Sequence, residues 1–186
     1  MSSSRFHRLA SITLAVAMAA GAAAASAQVM VGGAPMFATK DIIDNAVNSK
    51  DHTTLVVAVK AAGLVETLKG PGPFTVFAPT NTAFAALPAG TVDTLLKPEN
   101  KGKLTGVLTY HVVPGKLDAA ALGSQIMDGK GMATLKTAAG GTLMVKENGG
   151  KIWVGDEKGG WATVSTADVY QSNGVIHVVD KVLLPK

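Results

Sequence analysis

The sequence predicts an α+β domain, and three observations carry that reading. Residues 39–69 place apolar side chains at helical spacings, and short helices with polar starts follow a strand-like stretch up to Tyr110. From about residue 132 onward the apolar residues fall in short, β-branched blocks. Glycine-rich punctuation ("AAGG", "ENGGK", "EKGG", "SNG") separates those blocks at hairpin distances. Helices first and strands later argue for segregated α+β layers and against alternating βαβ units.

The elements follow in order. Residues 28–38, "QVMVGGAPMFA", hold two glycines and a proline and read as a flexible leader. Ile42, Ile43, Ala46 and Val47 form one apolar helical face. Asp51 or Thr53 can cap a second helix through "TTLVVAVKAAG", with Gly63 at its end, and "LVETL" adds a short turn. In "GPGPFTVFAPT" the period changes to two, and the segment reads as a short buried strand. "NTAFAALP" and "TVDTLLK" read as short helices, and "PENKGKLTGVLTYHV" as a longer one with Pro98 near its start. Pro114-Gly115 turns the chain. The strand blocks are "MATLKT", "TLMVKE", "KIWVGD", "WATVSTADVY" and "GVIHVVDKVLL", with Asn148-Gly149 as a hairpin signal. Trp153 and Trp161 lie on neighbouring strands, where they can pair, cover one end of the core or present an aromatic face.

The N-terminus has a different character. Arg5, His7 and Arg8 precede an alanine-rich apolar stretch, Leu9 to Ala25, and Ala25-Ser26-Ala27 is a small-x-small triplet. This is the build of a signal peptide over residues 1–27, with cleavage after Ala27. An uncleaved anchor is the alternative, but the stretch is weakly hydrophobic and ends in that triplet. Residues 28–186 suit one domain, and no later run approaches a membrane span in length, so no membrane insertion is expected after signal removal. The full chain carries 17 basic and 13 acidic residues; without Arg5 and Arg8 the balance is 15 to 13, a net charge of +2. With no basic stripe and no interleaved aromatics, a nucleic-acid partner is not expected. The absence of cysteine excludes disulfides, a thiol nucleophile, a lipidated cysteine and Cys-zinc or iron–sulfur sites.

Catalytic signatures are missing. There is no G-x-S-x-G elbow, no phosphate-binding glycine loop and no H-E-x-x-H, and no candidate for paired-carboxylate glycosidase chemistry is visible. No cofactor is expected. Three histidines fall beyond the signal segment: His52, beside a helix start and expected to be solvated, and His111 and His177, each inside a valine run. Burying a histidine means satisfying both ring nitrogens. The last two are read as fold-specifying residues tied to neighbouring groups; the alternative is a metal site combining them with Asp168 or Asp180. Five methionines (Met30, Met36, Met127, Met132, Met144) form no stripe and read as loop and core filling.

Three segments then occur together and in order: "FTVFAPTNTAFAALP" (74–88), "VLTYHVVPGKL" (107–117) and "NGVIHVVDKVLLP" (173–185). Together they resemble the fasciclin (FAS1) domain family, over about residues 39–185, and most of all its bacterial secreted single-domain members. The resemblance implies a β-wedge of two roughly orthogonal sheets with a helical layer, no enzymatic activity and a role in adhesion or extracellular protein interaction. It implies a secreted or periplasmic protein whose partner is an unknown cell-surface or extracellular protein. Within its motifs, Thr80 or Asn81 can cap the helix carrying Phe84, Asn173-Gly174 turns into a long final strand ended by Pro185, and His111 and His177 specify the fold. Family interaction regions map onto Tyr110 and His111 and onto Asp168 and Val169, with valine where the family pattern has isoleucine. The segment Thr166–Ser172 is expected to be a polar loop that faces a partner together with Tyr110 and His111. The alternative function is a carrier or sensor of a small apolar ligand, held between helices and sheet.

Overall fold

The computed structural model describes residues 28–186; residues 1–27, on which the expectation of a signal peptide falls, lie outside the described residues. In chain order the elements are β1 (Met30–Val31), β2 (Ala34–Pro35), α1 (Ile42–Ala46), α2 (Thr53–Ala62), α3 (Val65–Lys69), β3 (Phe74–Pro79), α4 (Asn81–Ala85), α5 (Thr91–Leu96), α6 (Lys101–Tyr110), β4 (Val112–Pro114), α7 (Ala119–Asp128), β5 (Met132–Lys136), β6 (Thr142–Asn148), β7 (Lys151–Gly155), β8 (Trp161–Gln171) and β9 (Gly174–Val179). Single 3₁₀ turns at Lys50–His52 and Pro98–Asn100 lead into α2 and α6.

The main sheet has seven strands in the order β4-β3-β9-β8-β7-β6-β5. Its centre is the parallel pair β3–β9, whose register runs from Phe74 opposite Gly174 to Pro79 opposite Val179. All other neighbours are antiparallel. The long strand β8 serves two limbs: Trp161 to Thr163 pair with β7, and Val164 to Gln171 pair with β9 across two register shifts. Such bulges bend a strand and increase its twist, so β8 is where one limb passes into the other. Ala138 N–H reaches the Val112 carbonyl (2.7 Å), joining the end of β5 to the opposite edge strand β4.

Both faces of the central pair are covered, because the pleat sends alternate residues to opposite sides. Val76, Ala78, Ile176 and Val178 face the helical layer of α1–α6 and pack with Ile42, Leu55 and Leu104. Phe77 and Val179 point the other way, into a second core with Leu122, Leu143, Val145 and Val154. Burial on both faces explains why "GVIHVV" reads as an unbroken apolar run; all six of its residues are buried.

Several expectations are corrected. Residues 28–38 are not a loose leader: β1 and β2 form a hairpin that buries Val31 and Met36 in the helix-side core. The two-residue turn between β6 and β7 is Gly149-Gly150, both at positive φ, while Asn148 pairs with Lys151. Helix α7, whose Asp118 cap accepts from Ala121 N–H (2.8 Å), is absent from the sequence reading because its many small residues blur the apolar face. The last strand ends at Val179, well before Pro185. Beyond it, Leu183 and Leu184 find side-chain acceptors for their N–H groups instead of a ladder. Thr166–Ser172 is not a loop but mostly the C-terminal half of β8. Trp153 lies opposite Thr163 and Trp161 opposite Gly155, so the two indoles do not pair across the strands.

Candidate functional site

The motif residues act mainly as braces. Thr80 caps α4, its hydroxyl accepting from Ala83 N–H (3.2 Å). Asn81 caps a different helix: its Oδ1 accepts from Thr54 N–H (3.0 Å) and the Thr53 hydroxyl (3.1 Å), and its Nδ2 donates to the Lys50 carbonyl (2.7 Å). It supplies the cap expected from Asp51 or Thr53, since α2 has no side-chain cap of its own. Asn173 adds an acceptor at the start of α1, which Asp41 also caps, accepting from Ile42 N–H (3.1 Å) and donating to the carbonyls of Leu68 (2.7 Å) and Gly70 (3.1 Å). Gly174 allows the close approach of β3 to β9, because a Cβ there would lie 2.0 Å from the Phe74 carbonyl oxygen.

His111 ends α6. Its Nδ1–H donates to the Val107 carbonyl (2.7 Å), and its Nε2 accepts from Leu183 N–H (2.9 Å), 72 residues further on. His177, on β9, uses the opposite tautomer: Nε2–H donates to the Leu117 carbonyl (2.6 Å) and Nδ1 faces Asp168 N–H (3.4 Å). Its ring stacks on Phe77 with centroids 5.6 Å apart. Each ring needs one bare nitrogen to accept, so each is neutral. Burial lowers both pKa values, that of His111 to about 4. The Tyr110 hydroxyl donates to the Thr142 carbonyl (2.6 Å) and accepts from Glu157 N–H (3.1 Å), and burial raises its pKa. Asp156, which carries no signal in the sequence beyond a turn, is buried; it accepts from Lys158 and Gly160 in its own turn and from Leu184 N–H (3.1 Å). The stretch Asp156-Glu157-Lys158 before a glycine pair marks the turn but not the partner of Asp156 in the C-terminal tail.

Tyr110, His111 and Val169 are therefore interior residues, with 0%, 2% and 1% exposure, and they present no surface to a partner. Asp168 is half-buried at φ +56°, a backbone conformation that aspartate tolerates better than most residues. Its Oδ1 accepts from Ala119 N–H (2.6 Å), adding a second cap to α7, and its own N–H faces His177. Tyr170 and Ser172 are exposed in this segment; Tyr170 has Lys116 Nζ 4.8 Å from its ring centroid and Asp118 Oδ2 3.4 Å from its hydroxyl. Tyr170 borders a surface groove of about 240 Å³ with Val29, Phe37 and Thr39.

A second feature lies between the helices and the central strands: a cavity of about 40 Å³ with almost wholly apolar walls. His52 and Ser49 are its polar members beside the fully engaged His111. His52 is not solvated; it is 3% exposed, with Nδ1 2.9 Å from the Ser49 hydroxyl. Its Nε2 has no hydrogen-bond partner among the described residues. Burial lowers its pKa against smaller upward pulls from the Ala78 carbonyl and Asp51. Among the described residues, no three His, Cys, Asp or Glu side chains cluster to hold a metal ion. His111 and His177 each have both ring nitrogens on backbone groups.

Fold and site together define a class of protein: an α+β wedge whose Asn, Tyr and His side chains brace backbone segments distant in sequence. The chain belongs to the fasciclin domain family, whose profile matches residues 50–185. It is 55% identical over 144 residues to Protein sll1483 of Synechocystis, covering 77% of this chain and 73% of that protein. It is 37% identical over 143 residues to Immunogenic protein MPB70 of Mycobacterium bovis, covering 74% of this chain and 65% of that one. The pig transforming growth factor-beta-induced protein ig-h3 is 35% identical over 151 residues, which are 81% of this chain and 20% of the relative. Among solved structures, a FAS1 domain pair from the insect cell adhesion molecule Fasciclin I superposes with a TM-score of 0.69 at 18% identity, over 78% of this chain and 51% of that one. That similarity supports the α+β wedge and helical layer.

Proposed function

We propose that the protein is a secreted, non-enzymatic module that binds an extracellular or cell-surface protein, in the manner of an adhesion domain. The observation that carries this reading is how the titratable motif side chains are used. His111, His177, Tyr110 and Asp168 all hold backbone groups, so they serve the scaffold and leave recognition to the surface. Support also comes from the insect structure, which is described as part of a cell adhesion molecule. Among the described residues, no helix is long and apolar enough to cross a membrane.

On this reading the contact surface centres on Tyr170, not on Tyr110, His111 or Val169. An exposed tyrosine flanked by Lys116 and Asp118 offers apolar area, a hydroxyl and both charge signs, the kind of residue on which interfaces concentrate their energy. The test is a pull-down of cell-envelope and host-surface extracts with wild type and Tyr170→Ala, alongside thermal melts. Loss of the captured partner at an unchanged melting temperature is expected. Equal capture by both proteins would remove Tyr170 from the surface.

A further inference from the structure

The cavity behind the helical layer contains a polar atom that the fold does not use. His52 is as buried as the two motif histidines, yet only one of its ring nitrogens is engaged. Buried polar groups are nearly always paired, so an exception calls for a ligand or a water. A water would find few polar partners besides Nε2 in these almost wholly apolar walls, whereas buried waters ordinarily make about three hydrogen bonds.

The cavity is not isolated. Met36 and Val169 line both it and the surface groove beside Phe37 and Tyr170, so the two spaces are neighbours at these side chains. Met36 is the more flexible of the two: an unbranched thioether with three rotatable bonds, carried just after the β1–β2 hairpin. A change of its rotamer would join the 40 Å³ interior to the 240 Å³ groove as one elongated channel, apolar inside apart from the His52 end and bordered at its open end by Gln28, Thr39 and Tyr170. The combined volume approaches the lower range of small-molecule pockets, about 300 Å³.

We propose that this channel binds an elongated apolar molecule with one uncharged hydroxyl end, such as a medium-chain alcohol, with the hydroxyl on His52 Nε2 and the tail passing Met36 into the groove. A hydroxyl both donates and accepts, so it suits either tautomer that the Ser49 contact selects. A carboxylate does not suit the site: it would bring a charge into apolar surroundings beside an imidazole that burial keeps neutral. The proposal does not rest on the adhesion reading, and its test uses neither a protein partner nor Tyr170.

The test is an NMR titration of the isotope-labelled protein at pH 7.5 with 1-octanol and, separately, with octanoate. Octanol should shift the His52 ring nitrogens and the methyls of Ile43, Val59 and Ile176 saturably, with intermolecular NOEs to those methyls. Octanoate should bind at least tenfold more weakly. His52→Phe, which fills the cavity and removes the polar end, should weaken octanol binding at least tenfold. The wild-type NOEs keep the test decisive if that variant does not fold. Saturable shifts confined to surface residues, an NOE from His52 to water only, or octanoate binding as tightly as octanol would each overturn the proposal.

Discussion

Lowering the pH should weaken the domain through His111 before most carboxylates titrate. In the native state this ring donates from Nδ1 and accepts at Nε2, so a second proton would displace the Leu183 N–H from its acceptor. Burial holds its pKa at about 4, against 6.5 when unfolded. A folded pKa below the unfolded value means that the unfolded chain binds the proton first, so stability falls as pH falls. The contribution is fully present above about pH 7 and is lost progressively from about pH 6.5 down to pH 4. At about 1.4 kcal/mol for each pH unit separating the folded and unfolded pKa values, the full effect is about 3 kcal/mol, of which about 2 kcal/mol is lost by pH 5. His177 and His52, also lowered by burial, add to the slope in the same direction. The assay is urea denaturation of wild type at half-unit steps from pH 8 to pH 5, with the His111 ring followed by NMR. The ring should keep its Nδ1–H tautomer at pH 5.5. A ring that titrates near pH 6.5 in the folded protein, or a stability that is flat between pH 7 and pH 5, would refute the reasoning.

Other outcomes can be checked beside it. Asp168→Ala should destabilise by about 1–3 kcal/mol, since it removes the cap on Ala119 and puts alanine at a positive φ that it tolerates poorly; Asp168→Asn, which keeps an acceptor and tolerates that backbone, should cost less in the same denaturation series. Tyr110→Phe leaves the Thr142 carbonyl and Glu157 N–H unpaired, and a loss of about 1–3 kcal/mol is expected by urea unfolding. Asn81→Ala should cost about 1 kcal/mol and raise amide exchange at Thr54, at the start of α2, more than in α4. N-terminal sequencing of exported protein should begin at Gln28; an intact Met1 would contradict processing after Ala27.

The sequence alone determined the layers. Helical spacing up to Tyr110, alternation after residue 132 and glycine punctuation are local properties, and local propensity and pattern express themselves within one element. The same holds for Thr80, which caps the helix it precedes. The three motif segments, taken in order, made the family legible. Partnership across the chain was not legible, because a side chain does not announce which distant backbone group it will meet. Asn81 and Asn173 read as a local cap and a turn residue, yet each caps a helix that came earlier in the chain. Asp168 resembled a surface aspartate, but the β8 bulge turns it towards α7. The C-terminal tail looked like more strand because Val182, Leu183 and Leu184 are apolar; His111 and Asp156 hold it without a ladder. Tertiary structure also decided the sorting of the histidines. His111 and His177 found two backbone partners apiece, while His52, beside a polar helix start, was folded inward with one nitrogen unengaged. Burial depends on how layers close over a residue, and that closure is a property of the whole chain.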